Sequence, residues 1–102
     1  MNLPVATTPD ADAQIRAIDE WWRTNRLLSP DLFLDELSAA FELVASAPLI
    51  GHPYRRSPVP GTRRLLLRGT RYHVYYVPGE EQVTTIAVWH AERGADPPLT
   101  PR

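Results

Sequence analysis

Arg71-Tyr72-His73-Val74-Tyr75-Tyr76-Val77 is followed, after Pro78-Gly79-Glu80-Glu81-Gln82, by Val83-Thr84-Thr85-Ile86-Ala87-Val88-Trp89-His90. Both runs are rich in β-branched and aromatic residues and are separated by a proline–glycine break, the pattern of two strands joined by a hairpin loop. In the first run Tyr72, Val74 and Tyr76 alternate with Arg71, His73 and Tyr75. Alternation sends the two sets to opposite faces of a sheet, one of them carrying the arginine and the imidazole. Just upstream, Arg63 to Arg68 and a tight turn at Gly69-Thr70 add a third strand. Its three consecutive leucines, Leu65-Leu66-Leu67, put apolar groups on both faces, one for the core and one for a covering partner.

Further upstream, Pro48 to Thr62 holds Pro53, Pro58, Pro60, Gly51 and Gly61 and reads as a loop carrying Arg55 and Arg56. A loop of that length in so small a chain points to function. Two helices precede it. Thr8-Pro9-Asp10 is a start signal, with threonine as cap, proline in the first turn and acidic residues at the positive end of the dipole. Ala11, Ile15, Ile18 and Trp22 then form one apolar stripe that ends near Asn25. Ser29-Pro30-Asp31 repeats the signal, and Leu34, Leu37, Phe41 and Val44 repeat the stripe until Pro48. So short a connection makes the helices antiparallel. Leu3 to Thr7, with Pro4, suits an edge strand. Ala95 to Arg102, with three prolines, reads as a loose surface tail. The predicted architecture is one α+β domain over residues 1–102: an N-terminal strand, then an α-helical hairpin packed on an antiparallel β-meander whose other face is partly open. The pairing of the first strand is left open by the sequence.

The 102 residues suffice for a single core. Cysteine is absent, which excludes disulfides, thiolate metal sites and cysteine nucleophiles. His52, His73 and His90 lack helical pairing or neighbouring carboxylates, so neither a metal nor another cofactor is expected. No apolar run reaches the length of a membrane span, and the expected location is the cytoplasm, with no membrane partner. The net charge of −1 conceals a split. Residues 1–50 carry three arginines against eight carboxylates, and residues 51–102 carry eight against four. Every cation is arginine, the side chain suited to bidentate contact with carboxylate or phosphate. A near-neutral total argues against binding nucleic acid by bulk charge.

Thr8-Pro9-Asp10-Ala11 at the first helix, Gly69-Thr70-Arg71-Tyr72-His73-Val74-Tyr75-Tyr76 in the meander and Ala87-Val88-Trp89-His90-Ala91-Glu92-Arg93-Gly94 at its end resemble the RelE/ParE family of bacterial type II toxins. The resemblance runs from Leu3 to Leu99. It implies the toxin of a toxin–antitoxin or plasmid stabilisation system, held inactive in a hetero-oligomer with a cognate antitoxin, ParD-like or related. Operator DNA would be reached only through that antitoxin. RelE-like members are ribosome-dependent messenger endoribonucleases; ParE-like members share the fold and poison DNA gyrase.

Laid on the nuclease pattern, the strand arginine of those enzymes falls at Tyr72 and the later arginine at Ala91. The set therefore looks incomplete, which favours the ParE-like branch: a gyrase inhibitor with no catalytic residue of its own. In the alternative nuclease reading, Arg71, His73, His90 and Arg93 would clamp phosphate and move protons. A third reading is an inactive toxin that only binds its antitoxin. Expected antitoxin contacts are Trp21, Arg23, Leu27, Phe33, Leu37, Arg64, Leu66 and Arg68. Trp21 heads them because it lies about 100° round the helix from Trp22, off the core stripe. Expected target contacts are Arg55, Arg56, Arg71, His90 and Arg93.

Overall fold

The computed structural model describes residues 2–99. Its elements run β1 (Val5–Thr7), α1 (Pro9–Asn25), α2 (Leu32–Ser46), β2 (His52–Pro53), β3 (Arg63–Leu67), β4 (Tyr72–Pro78) and β5 (Val83–His90). The strands form one sheet in the order β1-β5-β4-β3-β2, antiparallel except for β1 beside β5. The α+β architecture read from the sequence is the one that forms. The partner of the first strand is β5, with Val5 opposite Val83 and Thr7 opposite Thr85 in parallel register.

The first helix begins as its sequence dictates. The Thr8 hydroxyl accepts the Ala11 N–H at 3.2 Å, Pro9 opens the first turn, and Asp10 and Asp12 sit at the positive dipole end. The second start signal works differently. Asp31 is the cap residue but caps nothing with its side chain. Its carboxylate instead holds Arg23 at 2.8 Å, while Arg23 also meets Asp19 one helical turn back. The capping residue is thus diverted to clasp the two helices together.

Helices and sheet enclose a core of Trp22, Phe33, Leu37, Ala40, Leu67, Val74 and Val88, continued by Val44, Tyr76 and Val83. Two polar clasps close this side. The Tyr76 hydroxyl donates to the Pro48 carbonyl and accepts the Gly51 N–H, both at 2.8 Å, anchoring the chain where it leaves α2. Glycine is required at 51, because a Cβ there would stand 2.6 Å from the Tyr76 hydroxyl. Glu36 accepts from the N–H groups of Gly69 and Thr70 and from the Thr70 hydroxyl, tying α2 to the β3–β4 turn.

The far face of the sheet departs from expectation. Residues 48–62 are not wholly loop, since His52 and Pro53 pair with Arg64 and Arg63 as a short edge strand, where proline costs no ladder donor. The segment then folds over the sheet, and Tyr54 and Val59 join Tyr75, Ile86 and Ala87 in a second buried cluster. A bulge lies beneath it: Tyr75 is opposite Ala87 while Tyr76 is opposite Thr85, so Ile86 is an extra residue, and Ile86 and Ala87, though adjacent, both join this cluster. Tyr75 is buried on this face and Tyr76 on the helix face. Residues 95–99 are not loose either. Ala95 accepts from the Trp89 indole at 3.1 Å, Asp96 from the Tyr54 hydroxyl at 3.3 Å, Pro97 is buried and Leu99 packs on the second cluster. Residues 100–102 of the predicted tail lie outside the described residues.

Candidate functional site

The helical hairpin carries the first surface of interest at its tip. Trp21 and Trp22 are adjacent in sequence but a third of a turn apart, so Trp22 is buried while Trp21 remains 45% exposed. The Arg26 guanidinium lies 5.0 Å from the Trp21 ring and 5.7 Å from that of Trp22. Leu27 and Leu28 beyond them are 77% and 101% exposed. Nothing in the local sequence needs two bare leucines in a turn, which is what marks the tip as a contact surface. Arg23 sits on the same helix, but Asp19 and Asp31 hold it, and hydrogen bonding and charge from that pair raise its pKa.

Two expected contacts are corrected here. Phe33 and Leu37 are 0% and 4% exposed and belong to the core. They face the sheet, with the Phe33 ring edge-on to Tyr72 at 5.3 Å, so they are not surface anchors. On β3, alternation sends Leu65 and Leu67 towards the helices and Arg64 and Leu66 to the far face. Arg68 is exposed on the turn after the strand.

On the far face a cavity of about 250 Å³ is lined by Arg56, Arg64, His73, Trp89, Arg93 and Asp96, among others. Each cation has a different support. The Arg64 guanidinium lies over the Tyr54 ring at 5.1 Å, Arg93 lies over Trp89 at 4.4 Å, and Arg56 pairs with Asp96 at 3.0 Å. Arg64 and Arg93 have no carboxylate partner among the described residues. Burial lowers the His73 pKa, and the charges of Arg64 and Arg71 lower it further. Its imidazole is therefore neutral at pH 7. Arg55 is exposed beside this cavity in sequence but does not line it.

Of the four residues of the nuclease reading, His73, His90 and Arg93 line the cationic cavity and Arg71 stands outside it. Arg71 is not on the strand at all; it occupies the turn before β4 with a left-handed φ of 67°, and its nearest carboxylate is Glu92 at 3.7 Å. His73 lies opposite Trp89, and His90 opposite Tyr72, so the two imidazoles leave opposite faces of the sheet. The His90 ring is edge-on to Tyr72 at 4.9 Å, and its Nδ1 accepts the Glu92 N–H at 3.2 Å. It borders a second, apolar cavity of about 470 Å³ between α1 and β5, where Gln14 Oε1 accepts the Val88 N–H. His73 lines only the cationic cavity, His90 and Arg93 lie between the two cavities and line both, and Arg71 lines neither. Trp89 and Asp96, which line the cationic cavity, were not foreseen as parts of it, nor was Tyr54, which bonds to Asp96 from beside it. Trp89 was legible from its alternation with Val88, whereas Asp96 in a proline-rich tail gave no signal.

Among the described residues no group of three histidine, aspartate or glutamate side chains could hold a metal ion. No described helix is long and apolar enough to cross a membrane.

A helical hairpin on a five-stranded, mostly antiparallel sheet is the architecture of a class of small bacterial toxins. The structure titled "Chromosomal ParDE TA system from P. aeruginosa" shares it, with a TM-score of 0.61, 22% identity, and coverage of 88% of this chain and 97% of that one. At that identity the likeness concerns the fold. A search of curated proteins by sequence found no match. The model of the family described as "ParE toxin of type II toxin-antitoxin system, parDE" matches residues 5–94, and the chain belongs to that family.

Proposed function

We propose that the protein is a ParE-like toxin that inhibits DNA gyrase by binding, without chemistry of its own, and that a cognate ParD-like antitoxin neutralises it by direct contact. Membership of the family implies the toxin role and an antitoxin partner. The observation that carries the non-catalytic reading is the placement of Arg71, which stands in the turn before β4 near Glu92 and outside the cavity that His73, His90 and Arg93 line. Phosphodiester cleavage needs acid, base and cations convergent on one phosphate. Here Tyr72, at the position where the resemblance expects an arginine, packs against Phe33 and His90. Ala91, at the other such position, supplies no charge.

The antitoxin surface is assigned to the hairpin tip, with Trp21, Leu27 and Leu28 as apolar anchors and Arg23 and Arg68 at its margins. The target surface is assigned to Arg55, Arg56, His90 and Arg93 on and around the far face, with Arg71 at the neighbouring turn; Arg64, expected to meet the antitoxin, lines the same cavity and joins them. Induction of the protein alone in bacteria tests the reading. A DNA-damage response with translation intact, together with inhibition of purified gyrase, supports it. Rapid translation arrest with cleavage of ribosome-bound messenger overturns it, and unimpaired growth favours the inactive-toxin reading. Trp21→Ala and Leu27→Ala are expected to weaken antitoxin binding by about 1–3 kcal/mol each, measured by calorimetry, with toxicity retained.

A further inference from the structure

Strand β1 covers only Val83 to Thr85 of β5, because the chain enters α1 at Pro9, straight after the Thr8 cap. Beyond Thr85 the outer edge of β5 has no strand beside it among the described residues. The Ala91 N–H bonds to the Arg71 carbonyl on the β4 side, so by alternation Val88 and His90 turn their backbone groups to the open side. Gln14 on α1 answers one of these groups. Its Oε1 accepts the Val88 N–H at 2.8 Å, where a neighbouring strand would have placed a carbonyl. The His90 carbonyl takes the Arg93 N–H at 3.2 Å, while the His90 N–H has no partner among the described residues.

Opposite this edge α1 presents Ala17 and Ile18, and the space between is the apolar cavity of about 470 Å³. Sites for small organic ligands span about 300–1,000 Å³. Tyr72, Trp89 and His90 give the cavity aromatic walls. Arg93 stands exposed at its rim, laid over Trp89 at 4.4 Å and without a carboxylate partner among the described residues. The bond from the Arg93 N–H to the His90 carbonyl keeps that cation and the unpaired His90 N–H at one end of the chamber.

We propose that this chamber binds a free aromatic monocarboxylate, its rings against Ile18, Tyr72 and Val88 and its carboxylate on the Arg93 guanidinium and the His90 N–H. Aromatic walls favour a ring through offset and edge-on contacts, and a guanidinium takes a carboxylate by two parallel hydrogen bonds. A peptide strand is the poorer fit. Gln14 already fills the place of one strand carbonyl and Arg93 takes the His90 carbonyl, so too few backbone groups remain for a ladder. The proposal stands whichever cellular target the toxin has.

The test titrates the full chain, labelled with nitrogen-15, with three probes: indole-3-acetate, its uncharged isostere indole-3-acetamide, and a blocked pentapeptide of alternating threonine and valine. The acid is expected to shift the backbone signals of Ala17, Val88 and His90, with a Kd below about 1 mM and about tenfold tighter than the amide. Arg93→Gln is expected to remove that preference while the amide binds as before. Ala17→Leu puts a good helix former at an exposed position and fills the chamber, so acid and amide should both weaken about tenfold or more. Because Trp89, His90 and Arg93 also line the cationic cavity, Ala17 is the residue that tells the two apart. The proposal is overturned by absence of binding, by equal binding of acid and amide, or by an acid affinity unchanged in Ala17→Leu. It is also overturned if signals move at Arg56 and His73 in place of Ala17 and Val88, which puts the acid in the cationic cavity. A pentapeptide that moves the Val88 signal at lower concentration than the acid overturns it in favour of a strand site. Both variants alter exposed side chains, so a failure to fold does not obscure the result.

Discussion

On one side of the sheet, Trp22, Phe33, Leu37 and Val44 close over Val74, Tyr76 and Val88 with apolar groups throughout. On the other, Tyr54, Val59 and residues 95–99 cover Tyr75 and Ala87, while Arg56, Arg64, Arg93 and His73 crowd beside them. The same strands build both. Residues two apart along β4 serve one side and their neighbours serve the other, so stability and recognition are written into alternate letters of one stretch. The helix side is sealed by two long elements and the Tyr76 and Glu36 clasps. The far side is closed by a proline-rich loop and the short segment 95–99, which bury Tyr54, Val59 and Pro97 but leave Arg56 and Arg93 beside them exposed to solvent. A fold arranged this way can change the exposed cations of its far face with little loss of stability.

The contrast is broken most severely from the sealed side. Phe33→Ala removes a ring that is fully buried between the helices and Tyr72. Leaving the hole unfilled is expected to cost about 3–5 kcal/mol. That is a large part of the stability of a domain this size, and urea unfolding should show a strongly lowered midpoint or no folded baseline. Arg64→Ala on the other side, which removes only a cation stacked over Tyr54, is expected to stay within about 1 kcal/mol of the parent. Equal losses from the two substitutions would show that the faces are not divided as described.

The next effect belongs to the joint between the faces. Tyr76→Phe keeps the ring and removes the hydroxyl that serves both Pro48 and Gly51, leaving the buried Gly51 N–H without its acceptor. A loss of about 1–3 kcal/mol is expected, with faster hydrogen exchange at Gly51 as the local signature. Arg63, whose guanidinium also holds the Leu49 and Gly51 carbonyls, keeps the segment from opening fully. Smaller again is Glu36→Gln. The amide retains one acceptor oxygen for Thr70 and presents a donor to the Gly69 N–H, so about 1 kcal/mol should be lost, with the exchange change confined to the β3–β4 turn.

The asymmetry between the faces also explains what the sequence revealed. Everything set by periodicity was legible: the Ala11–Trp22 stripe, the alternation of Tyr72, Val74 and Tyr76, and the outward turn of Trp21. The helix hairpin and meander follow from those alone, because each side chain has only one face available once the period is fixed. What escaped reading depends on a single inserted residue or on contacts distant in sequence. The extra Ile86 in β5 puts Ile86 and Ala87, neighbours in sequence, into the same far-face cluster, and no local pattern announces it. Ser29 stood where Thr8 caps the first helix, yet α2 begins only at Leu32 with Asp31 as its cap residue, and Arg23 on the other helix offers the Asp31 carboxylate a charged partner. Phe33 and Leu37 were assigned to a partner because they are large and apolar, a property shared by anchors and core. Arg71 was given a strand face, whereas the turn before β4 places it in a left-handed conformation outside the ladder.

The smallest expected effect is a pH dependence that only the far face should show. His73 stands among Arg64 across the sheet, Arg71 at the turn, Tyr75 beside it, and the Arg56, Arg93 and Asp96 groups of the cavity. Burial first, and then the charges of Arg64 and Arg71, lower its pKa below the ordinary 6.5 that it regains on unfolding. Between those two values the unfolded chain binds the proton and the folded chain does not. Stability therefore rises with pH across that window, is level above about pH 6.5, and is lost as the pH falls from there through the folded-state pKa. His73→Gln cannot take up the proton, so the urea midpoint of the variant should fall less than the parent's between pH 7 and pH 5. Arg64→Ala removes the larger of the two charge contributions but leaves the burial, and should flatten the dependence only in part. If parent and His73→Gln lose stability in parallel over that range, the imidazole is not held neutral by its surroundings, and the far face is more open to water than the packing of Tyr54, Val59 and residues 95–99 implies.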